Sequence, residues 1–231
     1  MGHGVIFDFN GTMIFDAAVN RQAWREFLGE LIGRDCTDEE FYGRVQGGNG
    51  RDLVAYFLGT AGIELPASEV EQLGVQIDAV YRRVLVSRPD IFRLAPGLPE
   101  FLDELVARGI PRTIASAAPP ENMDLFYEHL GLERWFDRAQ VTLNDGTLPG
   151  KPAPDMYLAA AKRLGLTASE CVVFEDARSG IEAARRAGAG AIVGVMSQFG
   201  EDEMLSIPGV TVAAADYRDK ERLLDLIESL G

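Results

Sequence analysis

The chain has 231 residues, 47% of them hydrophobic and 25% charged, with a formal net charge of -14. That length and apolar share allow one sizeable core with a smaller satellite, so one or two domains, and exclude a disordered chain. The acidity excludes nucleic acid and anionic lipid as partners, because both need clustered Lys and Arg.

The first predicted element is a buried strand over residues 5–9, an apolar run that stops at the Asn10-Gly11 turn. Residues 17–86 then read almost wholly as helix. Ala23, Trp24, Phe27, Leu28 and Leu31 share one face, and Leu53, Val54 and Phe57 mark a second helix after the Gly47-Gly48-Asn49-Gly50 loop. Val70, Leu73, Ile77, Val80, Tyr81, Val84 and Leu85 form a longer stripe at steps of three and four.

From Pro96 onward strands and helices alternate. Leu98, Phe101, Leu102 and Leu105 give a helix ending near Gly109, and residues 113–116 a strand. A helix over 123–130 is stopped by Gly131, and a strand follows at 140–143. Pro154 suits the first turn of a helix capped by Gly165. Residues 171–174 read as strand, 181–187 as helix and 191–195 as strand. This alternation predicts an α/β fold with a parallel sheet covered on both faces and its ligands at the carboxyl ends of the strands.

Cys36 and Cys171 are too few and too far apart for a disulfide framework or a zinc cluster, and Cys171 is expected to be a buried small hydrophobe. No apolar run reaches the length of a membrane span, and the N-terminal residues lack a signal layout, so a soluble cytoplasmic protein is expected.

Four polar clusters fall where strands end or helices begin: Asp8, Ser116, Lys151, and the pair Glu175-Asp176. A doubly wound sheet gathers its strand ends at one edge, so these groups meet. A carboxylate, a hydroxyl, an ammonium and two further acids form the inventory for phosphoryl transfer through an aspartyl intermediate. The carboxylate attacks phosphorus, a hard cation neutralises the phosphoryl oxygens, and hydroxyl and ammonium hold the remaining charge.

In order along the chain, DFNGT, IASAA, GKPAPD and VFEDARSGIEAARRAGAG resemble the four motifs of haloacid dehalogenase-like hydrolases. The similarity is to the branch with beta-phosphoglucomutase and phosphoglycolate-phosphatase-like enzymes, and it covers nearly the whole chain. It implies a doubly wound Rossmann-like core over residues 1–16 and 87–231, with an inserted helical cap over 17–86 hinged near 14–16 and 89–94. It further implies Asp8 as nucleophile, and Ser116, Ala117 and Lys151 with Gly11 and Thr12 around the phosphoryl group. Magnesium would lie on Asp8, the Asn10 carbonyl, Glu175 and Asp176. The partner implied is a small phosphorylated metabolite, with the protein a monomer or weak dimer.

The sequence departs from that family at position 10, where most phosphatases and mutases carry an Asp that shuttles protons. An amide cannot do so. Asn10 is either an introduced change, or a natural one in a slow enzyme or in a non-catalytic binder of phosphorylated ligands. Its Asn-Gly context also permits deamidation to Asp. In the cap, Asn20 stands where the mutases have His and Gln46 where they have Lys, with Arg51 as the alternative basic group. These differences favour a phosphatase over a sugar-phosphate mutase.

Overall fold

The computed structural model describes residues 3–143 and 145–230. Strand β1 (Gly4–Phe7) leads into four helical elements: α1 (Ala17–Ile32), the single turn α2 (Asp38–Glu40), α3 (Gly50–Thr60) and α4 (Ala67–Val86). Between α2 and α3, residues Phe41–Val45 form one wide π-helical turn. The chain then continues through α5 (Leu98–Ala107), β2 (Arg112–Ser116), α6 (Pro120–Leu130), β3 (Thr142–Leu143), α7 (Asp155–Arg163), β4 (Cys171–Glu175) and α8 (Arg178–Ala187). It ends with β5 (Ala191–Val195), α9 (Glu201–Leu205), β6 (Val212–Ala214) and α10 (Lys220–Glu228).

The strands form one parallel sheet in the order β3-β2-β1-β4-β5-β6. The chain winds outward from β1 through β2 and β3, then returns to β4 on the other side. The switch point of this doubly wound sheet therefore lies between β1 and β4, where ligand crevices of such sheets form.

Alternation along the strands explains why both faces are covered. Val5 and Phe7 of β1, with Val172 and Phe174 of β4, join one core layer, while Ile6, Cys171 and Val173 join the opposite one. The first layer runs on without a break into the helical insertion, through Phe9, Trp24, Phe27, Phe57, Tyr81 and Leu85. Phe9 stacks on Phe126 with ring centroids 4.3 Å apart, and Trp24 meets Phe27 edge-on at 5.9 Å. Helix α4 packs against both α1 and α3, which is how its predicted stripe is buried. No helix among the described residues is long and apolar enough to cross a membrane.

Several bounds differ from the sequence reading. β1 ends at Phe7 rather than residue 9, because Phe9 turns back to accept the amides of Thr12 and Met13. β3 is only two residues long, and Pro154 sits at the cap of α7 rather than in its first turn. The pattern also left unread α9, β6 and α10, which close the sheet edge beyond β5.

The loop joining α1 to α2 is held by one carboxylate. Thr37 and Glu40 form a reciprocal capping box, and Arg34 grips both Glu40 oxygens at 2.8 and 2.9 Å. The Arg34 guanidinium, helped by Thr37, holds the Glu40 carboxyl down at about 2 against an ordinary 4.5. A lowered folded-state value stabilises the protein above 4.5, and this is lost as pH falls toward 2. Glu40→Gln should therefore lower the thermal midpoint at pH 7, with the difference from wild type shrinking as pH falls from 4.5 toward 2. An equal difference at both ends would contradict this role.

Candidate active site

Parallel pairing of β1 with β2 and β4 sets three strand ends side by side. Asp8 follows β1, and its amide donates to the Phe174 carbonyl of β4 at 3.0 Å. Ser116 ends β2, and Glu175 and Asp176 end β4. All four are buried, as are Thr12 and Asp16. Lys151 arrives from the loop before α7. Its fully buried ammonium donates to Asp8 Oδ1 and to Glu175 Oε1, each at 2.5 Å.

Glu175 is held on both oxygens. Oε1 also accepts from the Tyr157 hydroxyl at 2.9 Å, and Oε2 from the Ala177 amide at 2.7 Å. Asp176 accepts from Thr12 Oγ1, Ser197 Oγ and Gln198 Nε2 at 3.2 to 3.4 Å. Two glycines make room for these acids. A methyl group at Gly180 would overlap the Glu175 carboxylate, and one at Gly11, whose φ is +81°, would overlap that of Asp176.

Burial raises the Asp8 carboxyl to about 7; Lys151 pulls it down and Glu175 pushes it up. Burial, then Glu175 and Asp8, raise Asp176 well above the carboxylate range. For Lys151, burial works against the charge, but Asp8 and Glu175 outweigh it and hold the ammonium protonated.

Asp8, Glu175 and Asp176 each offer a carboxylate oxygen within 4.8 Å of the others. This donor set fits a hard divalent cation: the ligands are all oxygen, and the acids outnumber the single ammonium. The acidic cluster can thus hold a metal ion.

Asn10 is clamped. Its Nδ2 donates to Asp16 Oδ2 and to Tyr81 Oη, both at 2.8 Å, and Tyr81 in turn donates to Asp16 Oδ2 at 2.5 Å. The Gly11 amide donates to the other Asp16 oxygen at 2.9 Å. Burial raises Asp16, with the Tyr81 and Asn10 hydrogen bonds opposing it. Because the amide nitrogen is committed on that side, Oδ1 remains as the open acceptor of Asn10.

A cavity above Asp8 is lined from the core by Asp8, Asn10, Ser116 and Ala117, and from the insertion by Asn20, Trp24, Asp78 and Tyr81. The structure therefore brings Asp8, Asn10, Asn20, Ser116 and Ala117 to one cavity, with Gly11, Thr12, Glu175 and Asp176 packed in the same buried cluster. Lys151 lines an adjoining groove. Gln46 and Arg51 are not among the residues lining the cavity over Asp8. Gln46 is buried, and its carbonyl accepts from Ser179 Oγ at 3.3 Å. Arg51 lines a neighbouring cavity and lies 3.8 Å from Asp52. Asp16, Tyr157, Tyr81 and Asp78 were not legible as site residues. Tyr81 read only as one member of an apolar stripe, and no motif marks the other three.

The sequence model of haloacid dehalogenase-like hydrolases matches residues 3–188, and the chain belongs to that family. Among its curated relatives is protein CbbY of Cupriavidus necator, 34% identical over 197 residues, covering 82% of this chain and 76% of that one. Another is the fructose-1-phosphate phosphatase YqaB of Escherichia coli, 30% identical over 191 residues, covering 82% of this chain and 94% of that one. Among solved structures, a haloacid dehalogenase hydrolase of family IA, variant 3, from Entamoeba histolytica superposes with a TM-score of 0.86 at 34% identity. That alignment covers 98% of this chain and 99% of the other.

A cation at the acidic cluster should raise the thermal midpoint, because it binds the folded state alone. Millimolar magnesium should stabilise the wild type and have little effect on Asp176→Ala. Equal shifts in both proteins would argue against this cluster as the binding site.

Proposed function

We propose that this chain is a magnesium-dependent phosphatase of small phosphorylated carbohydrates that works through an aspartyl-phosphate intermediate. The observation that carries the reading is the buried cluster in which Lys151 ties Asp8 to Glu175 beside Asp176. In this reading residues 17–86 are the cap over a core formed by 1–16 and 87–231. The phosphatase names of relatives such as YqaB support the reaction class, as does the carbohydrate in that name.

The Asp8 carboxylate attacks phosphorus, an oxygen–phosphorus bond forms, and the ester oxygen leaves with the bonding pair. Water then attacks the same phosphorus, releasing phosphate and restoring the carboxylate. Lys151 holds Asp8 oriented and, with the Ser116 hydroxyl, balances charge on the phosphoryl oxygens. Magnesium would be held by Asp8, Glu175, Asp176 and the Asn10 carbonyl, and when bound it neutralises phosphoryl charge. On closing, the cap residues would exclude water from the cavity.

Asn10 sets the speed. It neither protonates the leaving oxygen nor takes a proton from water, so both half-reactions lack a factor of roughly 10²–10⁴ that a carboxyl supplies. An Asp in its place would face Asp16 and Tyr81. Two carboxyls at that distance share a proton, which keeps one of them protonated for general-acid work. Asn10→Asp should therefore raise p-nitrophenyl phosphate hydrolysis by about 10²-fold or more. No gain, combined with tight binding of a phosphorylated sugar by the wild type, would replace this reading with a non-catalytic binding protein.

A further inference from the structure

The cavity over Asp8 has an unusual roof. It is lined by Asn20 of α1 and by Ile77, Asp78 and Tyr81 of α4, and by Asn122 of α6. Among the described residues lining it there is no lysine, arginine or histidine. Asp78 and Tyr81 stand three residues apart on α4 and so share the helix face turned to the cavity.

Tyr81 is fully committed to Asp16 and Asn10. Asp78 is not. Among the described residues it has no hydrogen bond or ion pair, although burial raises its carboxyl to about 6, with Arg82 opposing and Glu121 adding to the shift. Arg82, one turn further along α4, gives its guanidinium to Asn122 Oδ1 at 2.6 Å. That bond leaves the Asn122 amide hydrogens as its donors toward the cavity. Folding alone gives no reason to hold a carboxylate partly out of water without a partner, because desolvation is costly and nothing in the protein offsets it. A donor on the ligand would offset it.

Resting on the phosphatase reading above, we propose that Asp78 selects the leaving group. Its carboxylate accepts from a hydroxyl of a neutral sugar or polyol, and the Asn20 and Asn122 amides complete the set. The same carboxylate disfavours esters that carry a second anionic group at that end of the cavity over Asp8, while Arg51 stands in the adjoining cavity that Asp78 also lines. The substrate class is thus a monophosphate ester of an uncharged polyhydroxy compound, rather than a bisphosphate or a phosphorylated acid.

The test is calorimetric binding to the magnesium-loaded protein, which works even where turnover is slow. The probes are fructose 1-phosphate, fructose 1,6-bisphosphate, glucose 1-phosphate, glycerol 3-phosphate, phosphoethanolamine and inorganic phosphate. Wild type should bind at least one polyol monophosphate about tenfold or more tightly than inorganic phosphate, as expected for a hydrogen bond to a charged group. It should prefer fructose 1-phosphate to the bisphosphate. Asp78→Ala should lower the ratio of polyol-ester to phosphate affinity by about tenfold. Asp78→Asn, which keeps the shape, should erase the discrimination against bisphosphate, and Asp78→Lys should reverse it. Ratios unchanged in all three variants, or a wild type that prefers the bisphosphate, would overturn the proposal. A preference for phosphoethanolamine over glycerol 3-phosphate would overturn the hydroxyl assignment in favour of an ammonium. If inorganic phosphate fails to bind while polyol esters bind in an Asp78-dependent way, the phosphoryl-site reading falls and the Asp78 proposal stands. If no polyol ester binds in an Asp78-dependent way, the proposal falls whatever phosphate does.

Discussion

The Lys151 ammonium, wholly buried between Asp8 and Glu175, is the interaction on which the rest of the molecule depends. It joins segments 143 and 24 residues away in sequence, so it forms only once the sheet has aligned β1 with β4. Charges taken out of water cost several kcal/mol each unless paired and hydrogen-bonded. Here the pairing is dense, since Glu175 also accepts from Tyr157 and from the Ala177 amide. One ammonium still cannot balance Asp8, Glu175 and Asp176 together. That deficit lets the crevice at the sheet's switch point hold a cation. Gly11 and Gly180 serve the same end, because any side chain there would displace Asp176 or Glu175.

From this cluster a second network reaches the helical insertion. Asn10, Asp16 and Tyr81 share hydrogen bonds across 71 residues of chain, tying the loop after β1 to the middle of α4. The amide at position 10 suits that network, because it can donate to both oxygens where a carboxylate would meet a second buried acid. On the proposed phosphatase reading, the same choice removes a proton shuttle. Asp78, on the same helix, lines the cavity over Asp8.

Much of the architecture was legible because a parallel sheet buried on both faces writes short, nearly continuous apolar runs such as Cys171-Val172-Val173-Phe174. The edges were not. β3 has two residues, and β6 carries the small Val212-Ala213-Ala214, too little apolar length to stand out. α10 was unread although its Leu223, Leu224 and Ile227 are buried. At the site, residues fixed by strand ends, Asp8, Ser116, Glu175 and Asp176, came together as the pattern implied. Residues on the insertion were harder, since helix register and packing decide which face meets the cavity. Asn20 reached it, whereas Gln46 was buried beside Ser179 and Arg51 turned to a neighbouring cavity. Tyr81 shows the limit: spacing alone marks an apolar stripe and cannot separate a packed ring from a hydroxyl that holds Asn10 and Asp16 in the loop after β1.

In the proposed reading Asp8 is the nucleophile that accepts the phosphoryl group, with its orientation set by Lys151. Intact-mass measurement after brief exposure of the protein to acetyl phosphate and magnesium tests this most directly. Slow hydrolysis by a chain with Asn10 should leave one added phosphate on the wild type, and Asp8→Ala should carry none. An unmodified wild type, or an equal phosphate mass on Asp8→Ala, would contradict the account.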